Sequence, residues 1–168
     1  MKLLTPKYFV ALMLSFVLFS CSKDSDGIYF EGTAEIEIVE NISYSALELE
    51  ILSLVNAHRE SIGIAPLKTL DIVSGVAESH TNYMIETGEV SHDNFSTRSE
   101  ILMKNTQAKT VGENVAYGYG SAEGVVNGWL DSEGHRSVIE NATYTHFGIS
   151  TESNEHGRNY FTQIFIHK

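Results

Sequence analysis

From Ser45 onward the chain changes hydrophobic period once, and that change divides it. Leu47, Ile51, Leu54, Val55, His58 and Ile62 recur at three- and four-residue intervals and predict a first helix with one inward face. Ser45 with Glu48 three residues on is a capping-box pattern for its start, and Gly63 with Pro66 just beyond marks its end. A second helix is predicted from Asp71 to Thr87, turning Val73, Val76, Ala77, His80 and Met84 inward and ending at Gly88. After a loop carrying Ser91-His92-Asp93-Asn94-Phe95, residues 96–104 form a shorter helix with Ile101 and Leu102 as its apolar residues. Residues 115–119 read as briefly extended, 121–131 as a helix burying Val125, Val126, Trp129 and Leu130, and 135–141 as one or two further turns. The period then becomes two: 146–151 and 160–166 are strands around a polar turn at 154–158. Helices first and an antiparallel hairpin last predict an α+β fold.

The N-terminal part has a different character. Lys2 and Lys7 precede and open an apolar run of about a dozen residues, a signal-peptide pattern too short for a comfortable membrane span; the alternative is an uncleaved N-terminal anchor. The run ends Leu18-Phe19-Ser20-Cys21, and Cys21 is the chain's single cysteine. This ending resembles the lipobox of bacterial lipoproteins, in which the cysteine is acylated and becomes the mature N-terminus. The resemblance implies a partner membrane held through lipidated Cys21, about 0.8 kcal/mol coming from each buried methylene. Residues 1–20 are accordingly assigned as a lipoprotein signal peptide and 21–43 as an acidic tether. Within that tether 34–39 alternate as a short edge strand would, and Ser22-Lys23-Asp24-Ser25-Asp26 resembles the acidic stretch that directs some lipoproteins to the outer cell surface. Removing Lys2 and Lys7, with no acid lost, takes the formal charge from −11 to −13. Such a balance opposes nucleic-acid binding, which needs basic surface. With Cys21 acylated no disulfide can form, so an exported domain would be held by its core alone.

Residues 112–136 hold the densest chemistry. Glu113 lies between Gly112 and Asn114, read as a tight turn that Gly112 permits and that aims the carboxylate; Gly134 is expected to do the same before His135. Ser132 and His135, three apart, could share a helical face as a nucleophile pair, but no G-x-S-x-G elbow surrounds Ser132, and helix capping is the simpler role. His58 and His80, on apolar faces, are expected to be core histidines with one satisfied ring nitrogen. His146, His156 and His167 are expected at the surface. Tyr117 and Tyr119, between glycines, either rim a cleft or pack, and Asn56 and Arg59 tie the first helix to neighbouring loops.

Six segments in order resemble the CAP superfamily: Asn56-Ala57-His58-Arg59, Ala77 through His80 to Met84, Ser91-His92, Gly112-Glu113-Asn114, Trp129-x-x-Ser132-x-Gly134-His135-Arg136, and Tyr160-Phe161-Thr162-Gln163-Ile164-Phe165. The resemblance covers about residues 48–166 and assigns 44–168 as the domain. It implies a three-layer α-β-α sandwich around a small antiparallel sheet. Eukaryotic members line a cleft with two His and two Glu that can hold a divalent metal. His92 and Glu113 match the first of each; Ser132 stands where the second Glu belongs and Tyr160 where the second His belongs. His135, from the bacterial motif, could replace one of them.

Two functions follow from that resemblance. One is an exported, lipid-anchored, non-enzymatic surface module whose cleft (His92, Glu113, His135, Ser132, Tyr160) binds a lipid, sterol, envelope component or partner. The other is a metal-assisted hydrolase of peptide or cell-wall material, with zinc or another divalent ion on His92, Glu113 and His135 activating water, since three ligands plus an open position suffice. Between them stands a cleft without metal, in which Glu113 accepts backbone N–H bonds and both histidines hydrogen-bond locally. The blandest option is a surface scaffold with a vestigial cleft.

Overall fold

A computed structural model describes residues 42–168; the expected signal peptide, Cys21 and nearly all of the expected tether lie outside the described residues. Helix α1 (Ala46–Ser61) opens with the predicted capping box: the Ser45 hydroxyl accepts from the Glu48 N–H while the Glu48 side chain accepts from the Ser45 N–H. Its inward face carries the predicted Leu47, Ile51, Leu54 and Val55, with Leu47 and Leu54 only partly buried against the core. Ile51, Leu52 and Val55 are buried with two charged residues, Glu48 and Arg59, whereas Ile62 is 47% exposed. A buried charge needs partners. Arg59 finds carbonyls at Ala65, Ile139, Asn141 and Tyr144, and Glu48 accepts from the Thr151 N–H. Asn56 exchanges two hydrogen bonds with the Leu67 backbone, so both polar residues fasten α1 to loops as expected.

Strand β1 (Lys68–Thr69) leads into α2 (Asp71–Thr87), which buries Val73, Val76, Ala77, His80 and Met84 and stops at Gly88 in the left-handed region. Then come α3 (Phe95–Thr106), β2 (Thr110–Tyr117), α4 (Ala122–Asp131), α5 (Glu133–Ile139) and the hairpin β3 (His146–Ser153) and β4 (Asn159–His167). The sheet order is β1-β3-β4-β2. It is mixed rather than wholly antiparallel, because the two-residue β1 runs parallel to β3.

Strand β4 is buried from Tyr160 to Ile166 because helices cover both faces of the sheet. Phe161 and Phe165 join Ile51, Val55, Val125, Trp129 and Phe147 in one core; Ile164 and Ile166 join Val73, Val76, Ala77 and Leu102 in the other. The result is the expected three-layer α-β-α sandwich, with α1, α4 and α5 on one side and α2 and α3 on the other.

Gly112-Glu113-Asn114 is not a turn. All three residues sit inside β2, paired with Phe165, Ile164 and Gln163. Gly112 is required by close approach instead, since a Cβ there would run into the Tyr144 hydroxyl and come within 3.1 Å of Val138. Gly134 likewise lies within helix α5, with open space around it.

Candidate functional site

Strand β2 alternates its side chains between the two helical layers. Glu113 projects toward α2 and α3, and Asn114 toward α5, where its Nδ2 donates to the His135 carbonyl at 3.2 Å. The strand is pinned further by the Trp129 Nε1–H, which donates to the Val115 carbonyl at 3.1 Å.

The Glu113 side chain is 1% exposed, and its charge is met from α3. Arg98 grips it with two parallel bonds, Nε to Oε2 and Nη2 to Oε1, both 2.8 Å. This planar fork is the strongest arrangement for a carboxylate. Arg98 Nη1 also donates to the Asp93 carbonyl and so ties the histidine loop to the same cation. From that loop, His92 Nδ1 approaches Glu113 Oε1 at 2.8 Å. Burial by itself would raise the Glu113 carboxyl, but the hydrogen bonds from His92 and Arg98 and the Arg98 charge outweigh it and hold the group below the ordinary Glu range. An ionised Glu113 requires Nδ1 of His92 to donate, which leaves the ring lone pair of a neutral His92 on Nε2, in a side chain 52% exposed.

His80 completes the cluster from α2. Its Nε2 lies 2.8 Å from the Ser91 carbonyl and 3.9 Å from Glu113 Oε1, and its buried Nδ1 has no partner among the described residues. Burial first, and then the neighbouring Arg98 charge, lowers its pKa and favours the neutral imidazole. One ring nitrogen is satisfied, as expected of a core histidine, but this one also belongs to the site. Sequence reasoning finds neither His80 nor Arg98 as a site residue. The available signal was Arg98 itself, the one charged residue four positions before Leu102 on the inward face of α3.

A chain with this order of segments also matches at the level of a whole family. The CAP family, described as the cysteine-rich secretory protein family, matches residues 52–165. This chain belongs to the CAP family. Two proteins of Bacillus subtilis (strain 168) are 35% identical to it: the uncharacterized membrane protein YlbC over 71% of this chain, and the uncharacterized protein YkwD over 75%. The chain spans only 34% and 49% of those two relatives. Solved structures share the fold. An outer surface protein from Borrelia burgdorferi has a TM-score of 0.64 at 22% identity, covering 70% of this chain and 90% of that one. An extracellular SCP-domain protein from Bacillus anthracis has 0.63 at 23% identity, covering 77% and 45%.

In this CAP domain the predicted cleft residues only partly converge. His92 and Glu113 meet. His135 sits on α5 across the β2 edge, contributing its carbonyl to Asn114; burial and the charge of His92 both lower its ring pKa. The His135 ring makes no hydrogen bond among the described residues. Ser132 occupies the junction of α4 and α5, but its side chain makes no capping hydrogen bond. Tyr160 is paired in register with Tyr117, four residues along β2 from Glu113, and packs with Met84 and Val115. Glu113 is braced by side chains, not by the backbone N–H groups expected. His58 is not a core histidine: it forms a half-exposed pair with Glu140 at 2.9 Å. Tyr117 and Tyr119 are exposed, the former against Tyr160, while His146 and His167 are half-buried rather than at the surface.

The donor set does not fit a divalent metal. Among the described residues no group of three His, Cys, Asp or Glu side chains is close enough to hold one, so His92, Glu113 and His135 do not form the expected ligand set. Arg98 already holds both Glu113 oxygens, and its permanent positive charge repels a cation there.

Proposed function

We propose that this CAP domain is an exported, lipid-anchored binding module, and that the surface around His92, above the buried Arg98–Glu113 pair, receives a ligand or partner without chemistry. One observation carries this reading: Glu113 is committed to a bidentate bond with Arg98, which helps hold its pKa below the ordinary Glu range and so away from the near-neutral value a general base needs. His92 is left as the accessible polar group, able to accept or donate at its outer nitrogen. Candidate ligand classes are lipids, sterols and envelope components. Export and acylation at Cys21 are supported by the N-terminal pattern, and export also by the surface and extracellular descriptions of the Borrelia and Bacillus anthracis proteins.

The test is retention of labelled sterol, fatty acid and peptidoglycan fragments by the chain and by its His92→Ala variant, with turnover followed in the same samples. Saturable retention of one probe without turnover, weakened about tenfold in the variant, is expected. Hydrolysis of any probe that depends on His92 would contradict the reading.

A further inference from the structure

Beside β3, on the far side of the sheet from β2, a recess of about 270 Å³ opens between α1, α2 and β3. Ile42, Ser43, Glu48, Ser74, Glu78, Ile149, Ser150 and Glu152 line it, without a basic residue. Its three carboxylates differ in availability. Glu48 is engaged by the Ser45 hydroxyl and N–H and by the Thr151 N–H, so it supplies charge rather than a free acceptor. Glu78 and Glu152 are exposed and form no ion pair among the described residues. Ser150 also lines the recess; it is 3% exposed, and its Oγ has no hydrogen-bond partner among the described residues. A buried hydroxyl without a partner costs free energy unless something in the recess bonds to it. Burial, and then the neighbouring Glu78 and Glu48, raises the Glu152 pKa, the mark of like charges gathered without a counter-ion.

We infer that this recess binds an organic cation bearing ammonium groups, with Glu78 and Glu152 accepting its N–H bonds and Ser150 Oγ accepting a third. A metal ion is the poorer occupant, because the three carboxylates do not come close enough together to coordinate one. An ammonium group on a carbon chain spans such a gap, and its three donors suit acceptors on separate elements. The same chemistry has two sources, a free polyamine or a lysine side chain of a partner protein.

The test titrates the full chain with spermidine, with a short acetylated lysine-containing peptide and with calcium chloride, followed by NMR and calorimetry. Saturable binding of spermidine or the peptide is expected, with shifts centred on Glu78, Ser150 and Glu152. Whichever of the two binds more tightly identifies the source. Affinity should fall at least about tenfold in Glu78→Gln/Glu152→Gln and severalfold in Ser150→Ala, with circular dichroism unchanged. His92→Ala should leave it unaltered. Absence of saturable binding by both amines, equal binding by the double variant, or calcium binding there that neither amine displaces would overturn the inference.

Discussion

Arg98 and Glu113 stand or fall together. Both are nearly fully buried, and a buried pair loses more when halved than when wholly replaced. Arg98→Ala should therefore destabilise the domain by about 3–5 kcal/mol in urea denaturation, and adding Glu113→Gln should recover part of that loss. The same environment fixes the response to pH. Glu113 has a depressed folded pKa, so its contribution is complete above its ordinary value of 4.5 and fades as pH falls through the folded value. His80 and His135 are also depressed. They fold as neutral rings, and protonation below their ordinary 6.5 favours the unfolded chain. Melting temperature should thus decline as pH falls below 6.5 and decline further below 4.5, and His80→Gln should flatten the first part. A melting temperature independent of pH across both windows would contradict these assignments.

Among the elements, α2 was legible because its period and its C-terminal Gly88 agree. β2 was not, because Gly112 and Asn114 are turn-forming residues kept here for other reasons: Gly112 clears Tyr144, and Asn114 reaches the His135 carbonyl. The face of α1 was legible in Leu47, Ile51, Leu54 and Val55, but it also buries Glu48 and Arg59, charges invisible to a hydrophobic period. With only two residues, β1 is too short to carry a period at all. The reading of Gly112 is testable. Gly112→Ala should cost about 1–3 kcal/mol by overpacking, and Tyr144→Phe should relieve part of that cost, seen as non-additivity in a double-mutant cycle. Were the glycine needed for a turn, Tyr144→Phe would bring no relief.

For the whole molecule, the sandwich determines which distant residues can meet. The order of segments was enough to bring His92 to Glu113, since both lie in recognisable motifs. Arg98 and His80 stayed hidden because one sits in a helix of few apolar residues and the other on a face that a core histidine would equally occupy. The N-terminal pattern carries its own prediction: labelled palmitate should be incorporated in the bacterial host and lost in Cys21→Ser, whereas an unlabelled chain would contradict the lipoprotein reading. The central claim is that Arg98, rather than a metal, neutralises Glu113. Carboxyl-carbon NMR titration of Glu113, with and without a stoichiometric excess of zinc, tests it most directly. Midpoints below 4.5 that zinc leaves unmoved are predicted; a zinc-dependent displacement of the Glu113 signal, abolished in His92→Ala, would contradict it.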